Sequence, residues 1–171
     1  MGVRLFYSLA LWLALTWGDP KLQAAESANP IAAIAGEWTY RSFHNNPSPV
    51  GEDPQKALAL IFAEANFTFT PTGPGTFTGT IDWGSGGLDL KGVLLSTANG
   101  SEPAFEIVGS GRQGTQTEGW RYDYHGHVAY QWPNGVNQIP ALVGNVIRVN
   151  PHNGAPAGYV ASFIAVKQPQ K

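Results

Sequence analysis

The sequence predicts an all-β chain that folds as an antiparallel up-and-down barrel of about eight strands. Three observations carry this expectation. Charged residues are only 13% of the 171, while glycine numbers 21 and proline 13, a balance of strands and turns. Past the leading apolar run, no long stretch repeats its apolar positions at the helical period. Instead, short strand-like runs recur at near-regular spacing, separated by Gly, Pro, Asn and Ser turns. Such a meander must protect its edges. Closing into a barrel removes them, and a two-sheet sandwich is the competing solution. Greek-key sandwiches need long crossovers, and few loops here are long enough, which favours the barrel.

Residues 36–43 form the first expected strand, followed by a loop over 45–49 that contains two prolines. Residues 57–69 form a long run that can break near Glu64, Ala65 and Asn66, and 53–62 can hold a helical turn. Residues 76–83 alternate strictly, with Phe77, Gly79, Ile81 and Trp83 against Thr76, Thr78, Thr80 and Asp82. Gly84-Ser85-Gly86-Gly87 reads as a tight hairpin turn into a strand over 88–95. A strand over 104–111 follows the Asn99-Gly100 turn. Residues 117–124 and 127–132 are read as two strands that fold back on each other at His125-Gly126-His127, with Gly126 supplying the turn. Strands over 141–149 and 159–167 complete the chain, joined by a turn at 150–154.

The N-terminus reads as a secretory signal. Arg4 precedes an apolar run over 5–17 that is too short to span a membrane, and Gly18, Asp19 and Pro20 stop it. Cleavage is expected after Ala24, leaving one domain over 25–171 with no stable membrane span. The chain has no cysteine, so neither a disulfide nor a lipid-bearing cysteine is available. Together these features point to a periplasmic or secreted protein. A net charge of −2 without a basic face argues against nucleic acid as a partner. No cofactor is expected, and the oligomeric state is left open.

The first strand contains Gly36-Glu37-Trp38, and Phe77-Thr78-Gly79-Thr80 follows later. A Gly-x-Trp on the first strand of an exported β-meander resembles the calycins, the lipocalin and avidin type of barrel. The resemblance implies an eight-stranded barrel that Trp38 closes at one end. It also implies an arginine from a late strand packed across that ring, for which Arg148 is the best match. No ligand site is carried over from it.

Residues 119–132 hold the densest set of functional side chains. Trp120, Tyr122, Tyr124, Val128, Tyr130 and Trp132 alternate with Arg121, Asp123, His125, His127 and Gln131. A Trp- and Tyr-lined interior suits a small apolar or aromatic ligand. Trp83, Trp120, Tyr122, Tyr130 and Trp132 are the expected walls, with Arg121 or Asp123 orienting a polar group. The alternative is a metal-dependent or acid–base enzyme that uses Asp123, His125 and His127, which would share a face if the strand ran straight through Gly126. That spacing resembles the His-x-His part of a cupin motif, but Gln131 stands where a cupin has Glu. Asp82, Asp89, Glu106 and Asp123 could also pair as acid and base. No nucleophile elbow or phosphate loop is present. A third reading is a solid-cored structural or interaction protein, whose aromatic rings simply fill the barrel.

Overall fold

Strict alternation becomes strand where the expectation was clearest. The computed structural model describes residues 30–46, 48–95 and 102–169; the expected signal segment 1–24 and the expected Asn99-Gly100 turn lie outside them. Eight strands are formed: β1 (Gly36–His44), β2 (Ile61–Pro71), β3 (Thr76–Trp83), β4 (Gly86–Leu95), β5 (Ala104–Gly111), β6 (Arg121–Val128), β7 (Ala141–Arg148) and β8 (Val160–Lys167). Each pairs antiparallel with its sequence neighbours, and β1 pairs with β8, so the sheet closes into an up-and-down barrel. Two short helices complete the described chain, α1 (Pro30–Ile34) and α2 (Pro54–Leu58). Asp53 caps α2 by accepting from the Gln55 and Lys56 amides.

The period of two dictates the interior. Tyr40, Phe67, Tyr124 and Phe163 meet in the middle of the barrel, with Tyr40 4.7 Å from Phe67 and 5.4 Å from Phe163, centroid to centroid. Tyr124 lies 5.6 Å from Phe67, edge to face. This ring cluster fills the midsection. Burial pushes the Tyr40 and Tyr124 phenols well above their usual range, so both remain neutral.

One end is sealed. Trp38 is fully buried beneath Ile31 and Ile34 of α1, and its indole Nε1 donates to the Ile34 carbonyl at 2.8 Å. The expected plug is therefore present, but its cation differs. Lys167 Nζ sits 5.3 Å from the Trp38 ring, because Lys167 is its register partner across the β1–β8 seam. Arg148 lies at the opposite end of the barrel, where β7 finishes beside the start of β8.

The fold corrects the sequence at residues 119–132. β6 runs straight through Gly126, which pairs with Phe105 on one side and Gly144 on the other, so no hairpin exists there. A side chain at Gly126 would collide with the Val143 carbonyl oxygen and lie 2.7 Å from Phe105 Cζ. The glycine serves close approach, not a turn. The strand then stops at Val128, and residues 129–140 form the connection to β7 rather than another strand. β2 likewise continues unbroken through Glu64, Ala65 and Asn66, which pair with Arg41, Tyr40 and Thr39.

Gly126→Ala is expected to lower the free energy of unfolding by about 1–3 kcal/mol, the range for overpacking a filled interior. Urea unfolding checks this. A variant as stable as the wild type would show that the contact across β6, β5 and β7 is not a tight one.

Candidate functional site

At the end away from Trp38, the inward rows of several strands finish in polar and aromatic side chains rather than aliphatic ones. His44 ends the inward row of β1, Trp83 that of β3 and Arg148 that of β7. Trp120 and Tyr159 extend the inward rows of β6 and β8 by one step before each strand begins. Phe62 arrives differently. The β1–β2 register shifts between Ser42 and Phe43, leaving Phe62 without a partner. This bulge brings its ring against His44 at 5.3 Å and Tyr159 at 5.6 Å, centroid to centroid.

Arg148 ties the mouth together. It is 9% exposed, and its guanidinium carbon lies 5.5 Å from the Tyr159 ring and 5.8 Å from the Phe62 ring. Its Nε donates to the Tyr122 hydroxyl at 3.2 Å and its Nη1 to the Pro156 carbonyl at 3.2 Å. His44 Nδ1 is hydrogen-bonded to the Tyr159 hydroxyl. Beside His44 an open groove of about 420 Å³ runs toward Lys56 and Leu60.

A strap crosses this end between β7 and β8, over residues 149–159. Asn153 and Gly154 turn it with φ of 50° and 76°, and His152 and Ala155 exchange backbone hydrogen bonds across the turn. His152 then stacks on Trp120 at 3.7 Å, and Trp120 lies nearly parallel to Trp83 at 6.2 Å. His152 Nε2 is 2.8 Å from the Tyr122 hydroxyl, while its Nδ1 is buried without a partner. The Tyr122 hydroxyl accepts from Arg148 and also carries a proton of its own, which the Nδ1–H tautomer of His152 would accept at Nε2. Burial, and then the nearby Arg148 charge, hold the His152 pKa below the ordinary value and keep it neutral.

The structure brings together Trp83, Trp120 and Tyr122 of the expected binding set. It separates the other members. Arg121 and Asp123 pair with each other at 3.1 Å on the outside of β6. Tyr130 and Trp132, 57% and 70% exposed, sit in the 129–140 connection at the Trp38 end. His125 and His127 point outward, and His125 lies 3.6 Å from Glu106. Among the described residues no three His, Cys, Asp or Glu side chains gather closely enough to hold a metal ion. Three of the candidate acid–base carboxylates are ion-paired with arginine: Arg112 holds both Asp82 at 2.7 Å and Asp89 at 2.8 Å, and Arg121 holds Asp123.

Sequence reasoning missed His44, Phe62, Arg148, His152 and Tyr159 as members of one site. His44 lies one step past the strand expected over 36–43, and Tyr159 opens the strand expected over 159–167 on its inward row. Nothing in the sequence marks the bulge at Phe62 or the folding of His152 back onto Trp120. Comparisons with protein-family models, curated proteins and solved structures find no match to this chain.

The pH dependence of the strap follows from His152. Its folded pKa lies below the unfolded value of about 6.5, so the unfolded chain takes up the proton first. Stability is full above that value and falls as the pH drops through it. The urea midpoint of the wild type should therefore decline more steeply between about pH 7.5 and 5 than that of His152→Gln. Parallel profiles would mean that His152 does not couple the strap to pH.

Proposed function

We propose that this protein is a calycin-like barrel, exported from the cell, that binds a compact planar or aromatic ligand at the mouth opposite Trp38. The observation that carries this reading is the asymmetry of the two ends. α1 and Trp38 close one end with apolar side chains. At the other, Phe62, Trp83, Trp120 and Tyr159 remain only partly buried around polar groups. Flat apolar faces with a few placed donors are the usual makeup of a small-molecule site. The ring cluster in the midsection restricts the ligand to the mouth, so a long ligand threaded down the axis does not fit.

The same cluster is the observation that favours the rival reading, a solid-cored structural or interaction protein. The two readings differ in tryptophan fluorescence. Titration with a panel of planar hydrophobic compounds should give a saturable change in emission, and Trp120→Ala should weaken binding by about tenfold or more. No saturable change with any member would remove the binding reading and leave the solid-cored one.

A further inference from the structure

Four arginines lie among the described residues, and three meet a carboxylate. Arg41 pairs with Glu64, Arg112 with Asp82 and Asp89, and Arg121 with Asp123. Arg41 and Arg121 are about half exposed and Arg112 about a third, where an ion pair adds little. Arg148, the most buried of the four, has no acidic partner among the described residues. Its neighbours are a phenol oxygen, a carbonyl oxygen and two ring faces, all of them neutral. A guanidinium taken out of water without a counter-charge is costly, and partial charges offset only part of that.

The geometry around Arg148 is that of a held donor rather than a satisfied one. A guanidinium carries five N–H groups. Tyr122 takes the one on Nε and Pro156 takes one on Nη1, and among the described residues Nη2 has no acceptor. The Phe62 and Tyr159 rings lie beside the fork, 5.8 Å and 5.5 Å from its central carbon. The strap adds a further polar group without a partner, the buried Nδ1 of His152. Around these groups stand flat aromatic surfaces, and the described side chains that meet Arg148 include no carboxylate to compete for it.

We propose that the ligand of this mouth is an anion, an aromatic carboxylate whose carboxyl group supplies the counter-charge of Arg148 through Nη1 and Nη2. This inference rests on the binding reading above and narrows it to one chemical class. A planar carboxylate matches the guanidinium fork in two parallel hydrogen bonds, which a neutral amide cannot reproduce. The ring of such a ligand would lie among the aromatic groups that already line the mouth.

The test compares matched pairs on the full-length protein, following tryptophan emission with 1-naphthoate against 1-naphthamide and 2-naphthoate against 2-naphthamide. The carboxylates should bind at least about tenfold more tightly than their amides, and only their affinity should fall as salt is raised. Arg148→Gln should bring each pair to equal, weak affinity. Equal binding of acid and amide by the wild type would overturn the anion inference while leaving the mouth as a binding site. Saturable binding by none of the four would overturn both. Because the central comparison uses the wild-type protein, it does not depend on the variant folding. If Arg148→Gln fails to fold, Arg148→Lys should keep a preference for the acids but a smaller one, and an undiminished preference would count against the fork geometry.

Discussion

The seam between β1 and β8 is the constraint on which the rest of this structure depends. Pairing from Trp38 with Lys167 to His44 with Ala161 converts a meander with two open edges into a barrel with none. Once the seam is closed, the period of two leaves each strand no choice of face, because a slip of one residue would turn its aromatic row to solvent. The same pairing fixes both ends of the molecule. It sets the Lys167 ammonium over Trp38 at one end and brings His44 within reach of Tyr159 at the other.

Within that frame, packing and chemistry are separated by height. The midsection is made of rings in edge-to-face contact, a dense arrangement that needs close backbone approach between neighbouring strands. Glycines at Gly126 and Gly144 allow it, since each pairs with the other across β6 and β7 where a side chain would strike backbone. The mouth is the opposite case. There the side chains are held by polar contacts, and Arg148 draws β6, β7 and the strap into one network through Tyr122 and Pro156. A network of this kind positions groups more than it stabilises the fold, because each contact replaces one that water would have supplied.

Much of the barrel was legible in the sequence. The strict alternation of residues 76–83 and the turn-bounded run at 104–111 became β3 and β5 with the expected limits. The site was legible only in part. Trp83, Trp120 and Tyr122 are expected together from their residue types and do lie together, but spacing cannot say which end of a barrel a residue occupies. The calycin resemblance puts Arg148 over Trp38, where Lys167 sits instead, and residue type alone groups Tyr130 and Trp132 with residues a barrel's length away. His125-Gly126-His127 misled for a related reason. Glycine in a strand signals either a turn or close packing, and only the partner across the sheet, Phe105 or Gly144, distinguishes the two. The bulge that frees Phe62 depends on the register of two strands at once, which neither strand encodes alone.

The strand that opens the barrel and the strand that finishes it are hydrogen-bonded neighbours, and both meet the sealed end at Trp38 and Lys167. The chain therefore enters and leaves the barrel on one side, while His44, Arg148 and the strap occupy the other. A label, tether or surface attachment joined next to either of these strands would stand behind the molecule. An immobilised barrel would present its mouth outward, and a permuted chain that links β8 to β1 and opens at the 129–140 connection would keep its mouth intact.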